Sequence, residues 1–269
     1  MQKDVSCDYQ KTKIKRKIAI QNKELRKAKD GQTHMELQVA LDFDYYAANC
    51  KKQTDHAAET LEIFSVEIAK KLIADAGESI DIIEVGTPFC MEYGLGAVKA
   101  LKAAYPEKKV LADLKIADAG YYEAATAYEN GADITTVLAV TDDSTILNAR
   151  DAARTYGREI MADMVAVQNL PERLAQIDAM GVDYICLHTS KDLQRLDQDM
   201  TKAFAELRGY VKNAKLALAG GINRSSIQKF ASIDPDVIIV GEGITGANDY
   251  GEAAAYFKSV MKQFESMEE

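Results

Sequence analysis

The feature that most constrains the fold is a regular alternation of short apolar runs with amphipathic stretches, from residue 36 onward. Apolar runs rich in β-formers predict strands, and apolar residues at helical spacing predict helices. Eight strands are predicted, at residues 36–42, 80–86, 109–114, 133–139, 159–164, 183–188, 214–219 and 236–241. The helices predicted to follow them lie at residues 57–76, 94–105, 121–130, 144–156, 170–180, 200–211, 225–231 and 251–264.

Eight alternating strand–helix units in a chain of 269 residues have the count and size of a single (β/α)8 barrel, the α/β architecture called a TIM barrel. A doubly wound parallel sheet is the alternative that the same alternation allows. No low-complexity linker interrupts residues 35–269, so we predict one barrel domain there. The first unit is longer than the others and contains an irregular insertion at residues 44–55.

Residues 1–34 form a basic extension before the predicted barrel. Residues 1–30 contain ten lysines and arginines against four acids, in a chain whose net charge is −9. Such a segment could contact RNA or a membrane surface, although a solvated tail is more common. We expect the extension to be poorly ordered or helical, and the acidic barrel argues against nucleic acid as a partner.

Composition also argues against a membrane-spanning protein and against a secreted protein with disulfide bonds. No apolar run approaches the roughly 20 residues that span a bilayer, and the polar start is unlike a signal peptide. The four cysteines, Cys7, Cys50, Cys90 and Cys186, show no CxxC spacing, which is typical of a reduced chain. We therefore expect a cytoplasmic protein without a membrane partner. Cys90 could be a nucleophile, but a packed thiol is the commoner role when no histidine lies nearby in sequence.

The segment VLADLKIADAG at residues 110–120 concentrates charge at the end of a buried strand. Asp113 and Lys115 are two residues apart, so on a regular strand they point to the same face. Asp118 follows where the strand leads into a helix. Burying these charges costs free energy unless they are paired or take part in binding or catalysis. A buried ion pair with a helix-capping aspartate and an active site are both consistent with this segment alone.

In a (β/α)8 barrel the active site lies at the C-terminal ends of the strands. Polar residues at the predicted strand ends are Asp42, Glu84, Asp113 with Lys115, Thr136, Asp163 and His188. Any one of them could be a satisfied core residue, but their convergence favours a catalytic site. Carboxylates without a Cys/His cluster suit a hard cation such as Mg²⁺. Glu84 and Asp113 end neighbouring strands, so they are the predicted metal ligands.

The last two strands end in glycine-rich loops, Gly220-Gly221 and Gly241-Glu242-Gly243. Glycines there allow backbone N–H groups to approach an anion, and this is the usual phosphate site of such barrels. A pair of tight turns is the alternative. The GEGITG segment also matches a dinucleotide fingerprint, but no βαβ unit follows it. The residues thus favour a Mg²⁺-dependent enzyme that acts on a small phosphorylated substrate through an enediolate.

Several motifs resemble the orotidine monophosphate decarboxylase suprafamily, whose signature is the D-x-K-x-x-D of Asp113, Lys115 and Asp118. The similarity extends over about residues 36–265 and is strongest to its branch of 3-hexulose-6-phosphate synthases, with the 3-keto-L-gulonate-6-phosphate decarboxylases as a sibling branch. The motifs that carry it are LQVALD at 37–42, EVGTPF at 84–89, LADLKIADAG at 111–120, GADITTVLAVTDDSTI at 131–146, GVDYICLHTSKD at 181–192 and AGGI at 219–222.

The resemblance implies a role for each matching residue. Glu84 and Asp113 would bind Mg²⁺, with Asp42 and Lys115 around the enediolate oxygens. Asp118 would be donated across a homodimer interface, so that active sites are shared. The remaining implied site residues are His188 and Asp163 at the reacting end of the substrate, and Gly220, Gly221, Gly241 and Gly243 around its phosphate.

The synthase branch implies an aldolase that condenses formaldehyde with D-ribulose 5-phosphate to give D-arabino-hex-3-ulose 6-phosphate. The sibling decarboxylase would use the same enediolate site, and a non-catalytic phosphosugar-binding barrel is a third possibility. Lys191 stands where the decarboxylases have arginine, and lysine lacks the bidentate fork of arginine. Glu242 departs from both branches, which tend to have glycine or another small residue, or arginine, at this position. A carboxylate beside a phosphate is unfavourable unless it turns outward or pairs with a cation.

Overall fold

The computed structural model describes residues 34–42, 65–194 and 201–266. The insertion at residues 44–55 and the first part of the helix predicted at 57–76 lie outside these residues, as does the basic extension up to residue 33. The division into an extension at 1–34 and a barrel at 35–269 therefore stays a prediction. None of the helices within the described ranges is long and apolar enough to cross a membrane.

Eight parallel strands form a closed barrel in which each strand pairs with its neighbours in sequence and β1 pairs with β8. The predicted (β/α)8 architecture is confirmed, and the doubly wound alternative is excluded because an open sheet has two edges. The strands are β1 Glu36–Leu41, β2 Ile82–Val85, β3 Lys109–Ile116, β4 Ile134–Leu138, β5 Glu159–Asp163, β6 Tyr184–His188, β7 Lys215–Ala219 and β8 Val237–Val240.

Helices follow the strands around the outside of the barrel. Their bounds are α1 Val66–Ala76, α2 Thr87–Tyr93, α3 Gly96–Ala104, α4 Gly120–Glu129, α5 Asp143–Tyr156, α6 Leu170–Met180, α7 Lys191–Gln194, α8 Thr201–Leu207, α9 Ile227–Ala231, α10 Glu242–Thr245 and α11 Tyr250–Ser266.

Three of these helices were not predicted, and others were predicted with different bounds. The short helices α2, α7 and α10 each follow directly after a strand end, where too few residues exist to show a periodic pattern. The helix predicted at 200–211 ends at Leu207 and continues as the 3₁₀ turn Arg208–Tyr210. The helix predicted at 94–105 begins at Gly96, because Gly94 has a φ of 61° and ends α2.

Two apolar layers follow from the alternation of side chains along the strands. Residues such as Leu37, Val39 and Leu41 point outward and pack against the helices. The inward positions form a smaller apolar cluster inside the barrel, which includes Ala40 and Leu111. Because strand side chains alternate, the inward positions at the C-terminal strand ends are free to carry polar groups.

Strand β3 does not keep a regular alternation up to its end. Its pairing with β4 shifts register between Ala112 and Ile116, and Lys115 adopts a left-handed φ of 49°. Asp113 and Lys115 do lie on the same side, as expected, since both line the cavity at the strand ends, but the strand that carries them is not regular there. The bulge redirects Lys115, and its ammonium nevertheless forms an ion pair with Asp113.

Helices α4 and α5 approach each other closely at Gly120, the first residue of α4. A Cβ at this position would lie 2.1 Å from the carbonyl oxygen of Thr145. We expect Gly120→Ala to lower the free energy of unfolding by about 1 to 3 kcal/mol, since backbone atoms must move to accommodate the methyl group. Urea unfolding followed by circular dichroism measures this change.

Gly96→Ala is the matched control, because Gly96 is also the first residue of a helix and a Cβ there meets no atom within 4 Å. This variant should be unchanged or stabilised by at most about 1 kcal/mol. Equal unfolding curves for the two variants would contradict the close approach of α4 and α5.

Candidate active site

A cavity of about 980 Å³ opens at the C-terminal ends of the strands. It brings together ten of the eleven residues predicted for the site, although their roles stay predictions. The ten that line the cavity are Asp42, Glu84, Asp113, Lys115, Asp163, His188, Gly220, Gly221, Gly241 and Gly243. The eleventh, Asp118, is exposed and is not among the residues that line it.

Three carboxylates repel one another in the cavity. Burial, then the nearby Asp113, raises the pKa of Asp42 to about 6, although Lys115 opposes the shift. Burial also raises the pKa of Glu84 well above its usual range, and the charges of Asp113 and Asp42 add to this effect. These two groups are therefore easier to protonate than ordinary carboxyls, and a cation between them would relieve the repulsion.

Gly86, just after β2, allows the approach of Asp42. A Cβ at Gly86 would lie 1.7 Å from Asp42 Oδ1, so any side chain there would displace the carboxylate. Gly86, the glycine of the EVGTPF motif, is therefore required by its packing against Asp42, which lines the cavity.

Asp113 is fixed by three side chains that hold both of its oxygens. Thr136 Oγ1 donates to Oδ1 at 2.7 Å, and Thr87 Oγ1 donates to Oδ2 at 2.8 Å. The ammonium of Lys115 also contacts Oδ2. Asp113 is 6% exposed, so these contacts replace most of the water that the carboxylate would otherwise bind.

Lys115 lies between two carboxylates. Its ammonium contacts Asp113 and lies 3.6 Å from Asp163 Oδ2. Burial alone would lower the pKa of Lys115, but the charges of these two aspartates raise it above its usual value. The lysine is consequently a permanent positive charge at the floor of the cavity.

Asp163 orients His188. His188 Nδ1 lies 2.9 Å from Asp163 Oδ2. Burial alone would raise the pKa of Asp163, but the hydrogen bond and charge of His188, together with Lys115 and the Val165 N–H, lower it. Because an ionised carboxylate accepts from Nδ1, a neutral His188 ring keeps its proton there. Its Nε2 is then the atom that can exchange a proton with a ligand.

Asp118 does not cap α4, so the interpretation of this residue as a helix cap is wrong. Its Oδ1 accepts from the N–H of Ala119 at 2.7 Å, and it is Ala119, with a φ of 48°, that occupies the cap position. The Ala117 carbonyl accepts from Thr141 Oγ1 at 2.6 Å, which ties this loop to the one after β4. Asp118 is therefore an exposed loop residue that does not line its own cavity.

The glycines after β7 and β8 serve different structural needs. Gly220 has a φ of 100°, and a Cβ there would lie 2.2 Å from the Thr189 carbonyl oxygen, so the backbone must pass this close. At Gly241 the nearest atom to a Cβ would be 3.7 Å away, and packing does not require a glycine. The tight-turn interpretation thus holds for Gly220. At Gly241 no close packing requires a glycine, and the residue lines the cavity.

Glu242 pairs with a cation, which is one of the two ways in which a carboxylate beside a phosphate site can be tolerated. Its Oε2 lies 2.8 Å from Lys191 Nζ, across the rim between the loops after β8 and β6. Both residues line the cavity.

Two residues of the site were missed by the sequence reasoning. Gln38 points into the barrel from β1, and its Nε2 donates to Glu84 Oε2 at 2.6 Å. A fully buried glutamine within the apolar run LQVAL was a signal that could have been noticed. Thr87, which holds Asp113, carried no signal, since threonine after a strand end is common in any loop or helix start.

The oxygen donors on the cavity floor fit a hard cation. Among the described residues, no three His, Cys, Asp or Glu side chains converge as a ready-made metal site. Mg²⁺, however, is usually held by one or two carboxylates, with water and substrate completing its shell. Glu84 and Asp113 can supply those carboxylates. Gln38 Oε1 is buried without a hydrogen-bond partner beside them, which leaves an acceptor available for a bound water.

The cysteines near the site are unsuited to thiol chemistry. Burial, then the charges of Asp113 and Glu84, raises the pKa of Cys90 to about 12. Its Sγ lies 3.3 Å from the Val85 carbonyl oxygen. Burial raises the pKa of Cys186 well above its usual value as well. Both groups are thiols rather than thiolates, which supports the packed interpretation of Cys90.

Comparisons with known proteins agree with the fold and with the resemblance that the motifs indicated. The model of the orotidine 5'-phosphate decarboxylase / HUMPS family matches residues 35–257. The 3-hexulose-6-phosphate synthase of Bacillus subtilis strain 168 is 44% identical over 203 residues, which are 76% of this chain and 97% of that protein. The resemblance to this branch, indicated by the motifs, is confirmed.

Solved structures show the same architecture. A 3-hexulose-6-phosphate synthase from Salmonella typhimurium superposes with a TM-score of 0.76 and 34% identity, covering 86% of this chain and all of that one. The 3-keto-L-gulonate-6-phosphate decarboxylase from Vibrio cholerae superposes with a TM-score of 0.69, covering 86% of this chain and 99% of that one. At 22% identity, this second likeness concerns the fold alone. The chain belongs to the orotidine 5'-phosphate decarboxylase / HUMPS family of enzymes.

Proposed function

We propose that this protein is a Mg²⁺-dependent aldolase that joins formaldehyde to D-ribulose 5-phosphate to give D-arabino-hex-3-ulose 6-phosphate. The observation that carries the proposal is the position of Lys115, a permanent cation clamped between Asp113 and Asp163 on the cavity floor. A fixed ammonium there can stabilise negative charge on a substrate oxygen. The similarity to 3-hexulose-6-phosphate synthases supports this choice of reaction.

The cavity suggests how the substrate lies. Its phosphate fits the loops after β7 and β8, where Gly220, Gly221, Gly241 and Gly243 line the cavity. Its reacting end then lies toward Asp113, Lys115 and the Asp163–His188 pair. Mg²⁺ bound by Glu84 and Asp113 would supply Lewis-acid stabilisation of negative charge. Gln38 orients Glu84 through its hydrogen bond.

In the proposed reaction, His188 Nε2 removes the proton from C1 of ribulose 5-phosphate. Lys115 stabilises the negative charge that develops on the substrate oxygens, with Asp42 accepting a hydroxyl hydrogen bond beside it. The electron pair at C1 forms a bond to the carbon of formaldehyde. The former aldehyde oxygen then takes the proton back from His188, so the base is regenerated. The Asp163 carboxylate stabilises the intermediate imidazolium.

We also propose that two copies of the chain share their active sites, with Asp118 of each reaching the other's cavity. Asp118 is exposed, and exposed large apolar side chains also occur on α2, on α4 and in the loop after β4. These are Met91, Tyr93, Tyr121, Tyr122 and Val140, and Met91 and Tyr122 are 81% and 75% exposed. Large apolar side chains exposed on a protein surface are typical of an interface. The cytoplasmic location stays a prediction.

Direct assay distinguishes the candidate reactions. Purified protein with Mg²⁺ should consume formaldehyde in the presence of ribulose 5-phosphate, measured by loss of free formaldehyde. If the protein turns over 3-keto-L-gulonate 6-phosphate and does not consume formaldehyde, the aldolase proposal is wrong and the sibling decarboxylase activity takes its place. Inactivity toward both substrates, with ribulose 5-phosphate still bound, would indicate a non-catalytic phosphosugar-binding barrel.

The metal proposal predicts a pH-dependent stabilisation. At pH 7.5, saturating Mg²⁺ should raise the Tm by several degrees, because a ligand at 100 times its Kd contributes about 2.7 kcal/mol. In the metal-free protein the folded-state pKa of Asp42 is raised to about 6, so its repulsive penalty exists above that pH and fades below it. The Mg²⁺-induced shift should therefore shrink as the pH falls from 7.5 to 5.

Asp113→Asn should abolish both this shift and turnover while keeping the circular dichroism spectrum of the fold. Glu159→Gln is the control, since Glu159 is a half-buried acid that pairs with Lys109 at the start of β5, away from the cavity. It should keep the full Mg²⁺ response. An unchanged response in Asp113→Asn would rule out Asp113 as a ligand.

Shared active sites predict complementation between two inactive variants. Asp118→Ala and Lys115→Ala should each lose activity alone. When they are co-refolded in equal amounts, half of the dimers are mixed, and each mixed dimer contains one intact site. Recovered activity should reach about a quarter of the wild-type value. No recovery, in a mixture shown to contain mixed dimers, would place Asp118 outside the shared site.

A further inference from the structure

Lys191 and Glu242 form an ion pair across the rim of the cavity, at the end proposed for the phosphate. Lys191 Nζ lies 2.8 Å from Glu242 Oε2, and the two residues are 51 positions apart in sequence. Lys191 begins α7 after β6, and Glu242 begins α10 after β8. The pair thus joins two loops that flank the loop after β7.

The Glu242 carboxylate is held at a place where a second anion is expected. Glu242 lies between Gly241 and Gly243, and all three line the cavity. A phosphate dianion in these loops would meet this carboxylate at short range, which costs free energy unless a cation lies between them. Lys191 is the cation that the structure places there.

Lys191 also faces the cavity, because it is among the residues that line it. Among the described residues, the lysines that line the cavity are Lys115, Lys191 and Lys229. Lys115 is engaged by Asp113 and Asp163 at the other end. Lys191, beside Glu242, is therefore a lysine at the end of the cavity proposed for the phosphate.

The pair is weak enough to exchange. The side chains of Lys191 and Glu242 are 47% and 55% exposed, and an ion pair this open to water contributes little to stability. A phosphate dianion carries more charge and more acceptor oxygens than one carboxylate, so it can compete for the same ammonium.

We propose that Glu242 is an internal competitor for the substrate phosphate, and that Lys191 exchanges the Glu242 carboxylate for that phosphate when substrate binds. This proposal rests on the proposed function, because it uses the same phosphate site. It makes Lys191 a phosphate-binding residue and Glu242 a residue that sets affinity: the carboxylate weakens binding and favours release of a phosphorylated product. A rigid strut between the two loops is the alternative role for the pair.

Calorimetric binding of inorganic phosphate and of ribulose 5-phosphate, at low ionic strength, tests the exchange. Glu242→Gln removes the competitor and should tighten both by about threefold. Lys191→Met removes the cation and should weaken both by about tenfold. The double variant K191M/E242Q should remain weaker than wild type, because the cation is absent whether or not its competitor is present.

The opposite signs of the two single variants are the decisive result. A strut predicts that both substitutions loosen the loops and weaken binding together, and that outcome overturns the proposal, as does the absence of any phosphate binding by the wild type. Asp75→Asn and Lys71→Met are the charge-matched controls, since they disrupt an exposed ion pair within α1. Their phosphate affinity should equal that of the wild type.

Binding and turnover separate this proposal from the proposed function. Opposite shifts in phosphate affinity without formaldehyde consumption would retain the exchange and reject the aldolase. Formaldehyde consumption with equal shifts in both variants would retain the aldolase and reject the exchange.

Discussion

The ion pair between Asp113 and Lys115 is the interaction on which the rest of the site depends. Both charges lie at the end of a buried strand, where an unpaired charge would be very costly. The structure meets this cost with hydrogen bonds from Thr87 and Thr136 to Asp113, and with Asp163 as a second partner of Lys115. Asp163 in turn orients His188, so one charge network links Asp113 and Lys115 on the cavity floor to the imidazole of His188.

The two ends of the barrel treat buried charge differently. At the N-terminal end, Lys109 pairs with Glu159 and donates to the Tyr184 hydroxyl, so the charges there are paired. At the C-terminal end, Asp42 and Glu84 repel Asp113, and their pKa values are raised by burial and by that repulsion. Mutual repulsion of carboxylates with raised pKa values is the arrangement expected where a site must bind a cation or stabilise charge.

The ion pair between Lys191 and Glu242 explains how a carboxylate can occupy the loop after β8. Glu242 departs from the pattern of both branches and is unfavourable beside a phosphate, whereas Lys191 departs only from that of the decarboxylases. Together they neutralise each other at 2.8 Å on the cavity rim. A substitution that looks damaging in one loop can therefore be compensated in another, and only the contact between loops reveals it.

The sequence by itself determined the eight strand–helix units and which strand ends carry polar groups, because side-chain alternation and helical spacing are local patterns. It also indicated the site residues, since closure of the barrel brings all strand ends to one mouth. Only the tertiary structure decided the left-handed bulge at Lys115, the bond from Gln38 to Glu84, the outward position of Asp118 and the pairing of Lys191 with Glu242. These features depend on packing between units far apart in the chain, which no local pattern records.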